Sequence, residues 1–307
     1  MNWVFDWISI LLWLFLGKKI THKLFTQSKF VFIFFTTIMV SLFFHANFVG
    51  ILYGLRWLSY ALLMWPIVQL GKVAFLEKIM RIFSAVFVST CLIQYIFMPD
   101  MRWLYYFGWD DHYYRVIGLL LDPGFTGLIL VFILIWLWET KSERLLQVFT
   151  LGSLLLTYSR ASYLALFMAM IWLKKPLKFF VLCFLLIVIL PRTSGGEGVK
   201  LERTSTVNAR LLNWQGSWNT FVKNPILGIG FGSYRSDSSL LYVLATTGII
   251  GFVAYLGYLK SLVKLGPTFG ALMVHSLFLN SLFYPAVLMW IAFRLAIMEN
   301  KKSELLS

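Results

Sequence analysis

Residues 203–251 read RTSTVNARLLNWQGSWNTFVKNPILGIGFGSYRSDSSLLYVLATTGIIG, a polar segment that runs through a glycine-rich phrase into an apolar one. Ser205 or Thr206 can cap a helix, and Val207, Leu211, Trp214, Trp218, Phe221 and Val222 then recur at roughly helical spacing. Asn224 and Pro225 stop it. Such a helix suits a membrane surface, its apolar face in the headgroup boundary and Arg210 near the opposite edge. The glycines of GIGFG permit tight turns and close approach to main-chain N–H groups. Neither a preceding strand nor a following Gly-Lys-Ser/Thr makes this a P-loop, and a plain re-entry turn accounts for it as well.

The flanking sequence decides the phase in which this stretch works. Hydrophobic residues make up 60% of the chain and charged ones 13%, with a mean hydropathy of +0.79, far above what a water-soluble core requires. The fold class expected is all-α, a polytopic integral membrane protein. The apolar run from Trp3 to Leu16 lacks a basic segment before it and is followed by Lys18 and Lys19, so it reads as a first span and not as a cleavable signal. Cys91 and Cys183 fall inside apolar runs and are small hydrophobes there. The net charge of +14 comes from short basic clusters between apolar runs, a topology signal that argues against nucleic acid as a partner.

Placing basic clusters on the cytoplasmic side orients the runs. Spans are expected at about 3–17, 30–46, 51–70, 82–98 and 116–138, with the aromatic segment PDMRWLYYFGWDDHYYR (99–115) outside at the membrane–water interface. Leu145 to Leu173 holds 29 residues between basic clusters, too few for two full spans of about 20 each. It is therefore expected to be a hairpin with TYSRAS at its apex, which puts Arg160 at bilayer depth, where a charge costs about 2.5 to 3.5 kcal/mol and demands a wet cavity or an anionic partner. Spans at about 179–190 and 240–259 enclose one long extracytoplasmic loop, 191–238, and a last short hairpin over 268–298 turns near Asn280 to Pro285. About 11 transmembrane segments result, in a single membrane domain over 1–307.

On this topology lysines dominate inside, whereas Arg56, Arg102, Arg115, Arg160, Arg192, Arg203, Arg210 and Arg235 lie outside with only Lys200 and Lys223. The guanidinium fork binds phosphate oxygens bidentately, so an arginine-rich outer face suggests a phosphate or pyrophosphate ligand. Outer arginines also lie solvated or snorkel to headgroups, the plainer reading for Arg102, Arg192 and Arg203. No carboxylate cluster requires a metal. Asp110, Asp111 and His112 read as an ordinary solvated loop, and His275 as a hydrogen-bonded packing residue.

Four stretches, RVIGLLLDPGFTGLIL from Arg115, LTYSRASYLAL around Arg160, NARLLNWQGSWNTFVKNPILGIGFGSY from Asn208, and the run from Asp237 to Gly251, stand in an order and spacing that resembles the O-antigen ligase and O-antigen polymerase superfamily. The resemblance covers about residues 50 to 300. It implies that Arg115, Arg160 and Arg210 hold the pyrophosphate of an undecaprenyl-linked glycan. Where the ligases carry a His-Asn pair about eleven residues before the first glycine of GIIG, this chain has Asp237 and Ser238, which shifts the resemblance toward the polymerase branch.

The activity implied is a membrane glycosyltransferase that polymerises undecaprenyl-pyrophosphate-linked repeat units of O-antigen, capsule or exopolysaccharide on the outer face of the cytoplasmic membrane, with inversion and with neither metal nor cofactor. Asp237, Arg160 and Arg210 are the expected catalytic residues; Asp237 is the general base, although a cap on the following span would use the same position. Arg115, Arg56, Arg235, Tyr234 and Asp122 are expected to bind substrate, Asp122 doubling as a second-choice base or as an N-cap before Pro123. Membrane lipids, a flippase and a chain-length regulator are the expected company. Ligase-type transfer to lipid or protein is the nearest alternative. A polysaccharide transporter or flippase is the second, and the repeated halves common in transporters are not visible.

Overall fold

The structure, a computed structural model, describes residues 2–17, 28–45, 47–190, 199–202 and 204–306. Lys18, Lys19, Lys23, Arg192, Arg203 and most of the first part of the 191–238 loop lie outside the described residues. The helices are α1 (Asn2–Leu16), α2 (Lys29–His45), α3 (Phe48–Ala61), α4 (Met64–Val68), α5 (Val73–Phe97), α6 (Pro123–Glu139) and α7 (Arg144–Leu155). There follow α8 (Arg160–Trp172), α9 (Leu177–Ile189), α10 (Ser205–Lys223), α11 (Ser239–Leu262), α12 (Pro267–Ser276) and α13 (Pro285–Leu306). The fold is all-helical, with no strand among the described residues. Helical stretches at Phe48–Val68, Val73–Phe97 and Ser239–Leu265 are long and apolar enough to cross a membrane, and six further apolar helices are shorter. The expected α7–α8 hairpin takes the form of helices of 12 and 13 residues, each about 18 to 20 Å long against a hydrocarbon core of about 30 Å. Helix α5 begins at Val73, earlier than the charge pattern suggests, and so carries Lys78 and Arg81 within it.

The chain divides into two compact units, one of residues 1–80, 209–265 and 276–307, the other of 81–208 and 266–275. In the first, α11 packs along α2, and α13 packs on α4, α3 and α1. Its core is aromatic: Phe34 of α2 meets Trp57 of α3 at 4.9 Å and Tyr255 of α11 at 4.7 Å, and Trp57 meets Tyr258 at 5.3 Å. In the second unit α6 is buried from Pro123 to Leu137 on every face except at Phe125, which is why its sequence is apolar all round, and α7 and α8 pack against it.

Helix α11 is broken at Gly248, whose φ of 65° and ψ of −165° are not helical. The glycine-rich phrase fills the break. Ile229 N–H donates to Ala245 O at 3.0 Å, Gly230 N–H to Thr246 O at 3.0 Å, and Ile249 N–H to Pro225 O at 2.8 Å. Ser41 Oγ of α2 adds bonds to Leu227 O at 2.7 Å and Thr246 O at 2.9 Å. Main-chain groups freed by the break are thus satisfied inside the protein, as any non-helical backbone in an apolar phase requires. Each segment gives way to the other at a glycine: a Cβ on Gly228 would lie 2.3 Å from Thr246 C, and one on Gly248 2.2 Å from Ile226 O. The close approach expected of GIGFG is therefore to the chain's own helix.

The aromatic segment 99–115 is closed by an Asp100–Tyr113 bridge and exposes Trp103, Tyr105, Tyr106 and Phe107. Asp110 and Asp111 are exposed as expected, but His112 is buried, its carbonyl accepting Met101 N–H at 2.8 Å.

Gly228→Ala and Gly248→Ala should each destabilise the protein by roughly 2 to 5 kcal/mol, combining a left-handed backbone with a main-chain clash. Gly152→Ala, in open space on α7, should be neutral or stabilising by about 0.5 to 1 kcal/mol. Thermal unfolding of the purified protein in detergent separates the two classes; equal melting temperatures for Gly248→Ala and wild type would contradict the interlock.

Candidate functional site

Unit by unit, the residues singled out by sequence fall into two groups. Arg115, Asp122 and Arg160 belong to the second unit, and Arg56, Arg210, Tyr234, Arg235 and Asp237 to the first.

In the second unit both arginines are built around the connection between α7 and α8. Arg115 is 8% exposed; its Nε donates to Thr157 O at 3.0 Å and its Nη2 reaches Tyr158 O at 3.5 Å. Gln94 of α5 holds the preceding strand of chain, donating to Arg115 O at 3.2 Å and accepting Ile117 N–H at 3.0 Å. Arg160 opens α8 behind the N-cap Ser159, and its Nη1 and Nη2 bond to Leu201 O at 3.0 Å and Thr206 Oγ1 at 2.7 Å. The first turn of α8 is fixed from beneath. Ser162 Oγ bonds to Gly124 O at 3.1 Å and Ser159 Oγ at 2.8 Å, and buried His275 Nε2 contacts Gly124 O at 3.1 Å. A Cβ on Gly127 would lie 2.3 Å from Ser162 Oγ, so glycine there allows α6 and α8 to touch. His275 is thus a packing residue, as read from sequence. Asp122 caps α6, its Oδ1 accepting Phe125 N–H at 2.8 Å.

In the first unit a cavity of about 280 Å³ gathers three of the expected residues, Arg56, Tyr234 and Arg235. Arg56 is paired with Asp6 through two bonds, Nε to Oδ1 at 2.7 Å and Nη2 to Oδ2 at 2.8 Å, and Tyr60 OH donates to the same Oδ1 at 3.0 Å. Arg235 is exposed at the cavity. Asp237 is half-buried and stands one residue before Ser238, which is the N-cap of α11, so the cap position itself falls on the serine.

Sequence reasoning missed the residue that holds this segment. Asn213 of α10 donates from Nδ2 to Arg235 O at 3.1 Å and accepts Asp237 N–H on Oδ1 at 2.9 Å. One turn on, Ser217 Oγ bonds to Ser236 Oγ at 2.9 Å. The side of α10 that meets this segment is accordingly polar: Ser217 is the fully buried residue of the helix, Trp214 is half-buried against Phe278 at 5.9 Å, and Leu211, Trp218 and Val222 are exposed. The available signal was an Asn and a Ser four residues apart on a helix whose apolar positions lay elsewhere.

Within each unit the arginines and carboxylates named above stand at helix ends and connections or, like Arg56, within a helix. Residues 145–256 match the family model described as O-Antigen ligase, which supports the O-antigen ligase and polymerase superfamily that the motif order resembles. The match includes Arg160, Arg210, Tyr234, Arg235 and Asp237; Arg56, Arg115 and Asp122 precede it. A search of curated proteins found no match. The family suggests membrane glycan transfer of the polymerase or ligase type.

Asn213→Ala should cost about 1 to 3 kcal/mol, removing two hydrogen bonds and leaving main-chain groups to find new partners. Asn213→Asp, which keeps the acceptor for Asp237 N–H, should recover part of that loss. Melting temperatures of the two variants in detergent give the order; Asn213→Ala at or above Asn213→Asp would contradict the assignment.

Proposed function

We propose that the chain polymerises undecaprenyl-pyrophosphate-linked oligosaccharide repeat units on the outer face of the cytoplasmic membrane. A sugar hydroxyl of one repeat unit attacks the anomeric carbon of the other glycan. The carbon–oxygen bond to pyrophosphate breaks as the new glycosidic bond forms, and a single displacement inverts the anomeric centre. The hydroxyl is a poor nucleophile, so a base must take its proton; Asp237 fills that role. The leaving pyrophosphate needs its charge answered more than it needs a proton, and fixed guanidiniums supply that without a metal. Arg210 acts on the departing phosphates; Arg160, on the loop that Arg115 sets, is a guanidinium that the resemblance assigns to pyrophosphate.

The observation that carries this reading is the Asn213 clamp, which ties the segment with Tyr234, Arg235 and Asp237 to the helix that bears Arg210. A carboxylate and a cavity wall are thereby fixed to one another inside the stretch that matches the O-antigen ligase model. Asp237 in place of the histidine of the ligases favours self-extension of one lipid-linked substrate over transfer to a different acceptor.

Purified protein incubated with a lipid-linked repeat unit should yield a ladder of lengthened chains. Arg160→Lys and Asp237→Asn should each lower chain growth by at least about 100-fold while the protein stays monodisperse, since a positioned base and a charge-stabilising donor are each worth that much. Full activity in either variant removes that residue from the mechanism. Passage of the substrate across the bilayer unaltered would replace the enzyme reading by a transport one.

A further inference from the structure

We infer that the cavity of the first unit is a binding site for a single pyranose ring of the glycan, stacked on aromatic side chains and held by Asn280. This rests on the glycan-transfer reading, for which the cavity supplies a sugar subsite distinct in chemistry from a phosphate site.

Size comes first. At about 280 Å³ the cavity lies at the lower edge of small-molecule sites, enough for one ring and too little for an oligosaccharide. Its wall is unusually aromatic: Tyr53, Trp57, Tyr60, Tyr242 and Phe283 all line it, with Tyr242 and Phe283 in edge contact at 4.9 Å. A pyranose offers an apolar face of C–H groups and a rim of hydroxyls, and the aromatic wall suits the former.

The polar groups suit the latter. Asn280, in the turn before α13, lines the cavity, and its buried Oδ1 has no hydrogen-bond partner. An unmet buried acceptor is costly, and a half-turn of the amide presents either its acceptor or its donors to a hydroxyl. Ser236 and the main chain at Gly232 add further polar surface.

Charge then separates a sugar from a pyrophosphate. Two arginines line the cavity, but Arg56 already spends two N–H donors and its charge on Asp6. Only Arg235 remains, exposed, its main chain held by Asn213 and its guanidinium with no partner among the described residues. One remaining guanidinium suits a neutral or singly acidic sugar and is a poor match for a multiply charged diphosphate.

Saturation-transfer NMR on the full chain in lipid nanodiscs, with the methyl glycosides of glucose, galactose, N-acetylglucosamine, N-acetylgalactosamine and glucuronic acid as probes, tests the assignment. At least one glycoside should receive saturation from wild type, with the signal falling five-fold or more in Asn280→Leu and in Tyr53→Leu. Tyr106→Leu, an exposed aromatic of the second unit, should keep the wild-type signal. Tyr53 is itself 47% exposed, so its variant tests the site even where Asn280→Leu misfolds. Absence of signal from every probe, or undiminished signal in the folded variants, overturns the sugar site. Chain extension distinguishes the two claims. A wild type that binds a glycoside yet lengthens no lipid-linked chain sinks the polymerase reading and leaves the cavity. Chain growth with an acceptor KM unchanged in both variants sinks the cavity and leaves the polymerase.

Discussion

A helix that breaks in an apolar phase must find partners for the main-chain groups it releases, and the break of α11 at Gly248 sets the terms for the first unit. The carbonyls of Ala245 and Thr246 and the N–H of Ile249 are all answered by residues 225–230. Neither partner holds this geometry alone, since the glycine-rich phrase has no regular structure of its own and a straight α11 would leave it nothing to bond. The close approach of Gly228 to the main chain of Thr246 and of Gly248 to that of Ile226 makes the pair of segments one object. Ser41 ties that object to α2.

From this interlock the chain has only a few residues before α11 begins at Ser239, and those residues carry Tyr234, Arg235 and Asp237. Their position is set at one end by the glycine turn and at the other by the helix start, with Asn213 holding the middle. Phe231, just behind them, is locked between Tyr242 and Phe283 at 5.4 and 5.7 Å, and its carbonyl is admitted by Gly50 of α3, where a Cβ would lie 2.2 Å away. A functional segment on an otherwise irregular connection thereby gains the rigidity of the helices beside it, which positioning of reacting groups demands.

The sequence made the architecture legible where a physical rule has a single outcome. Apolar runs between basic clusters became helices, the 29 residues of 145–173 became two short helices with Arg160 at the start of the second, and Pro225 ended α10. Pairings across long chain separations were invisible. GIIG read as part of an unbroken span, although two glycines in four residues were a hint that the helix gives way there. Of the apolar positions read along α10, Leu211, Trp218 and Val222 are exposed and Trp214 packs on Phe278, whereas Asn213 and Ser217 hold the 235–237 segment, and polar hydrogen bonding carries no periodic signature. Arg115 was legible as a special charge; that it anchors the carbonyls of Thr157 and Tyr158 depends on a loop forty residues away.

Asp6 and Arg56 show how such a distant pair changes the meaning of an arginine. Each side chain is only about 30% exposed, and the two lie on helices of strongly apolar composition. An ionised group left alone in such surroundings is costly, and removing one member of a desolvated pair strands the other. The two-bond geometry with Tyr60 as a third partner answers most of that cost and sets α1 in register against α3. It also withdraws Arg56 from the set of guanidiniums that could meet a phosphate, and turns it into part of a cavity wall. The first helix, which by composition alone is an anchor, thereby supplies through Asp6 the charge that offsets Arg56 and leaves this cavity a single free guanidinium, that of Arg235.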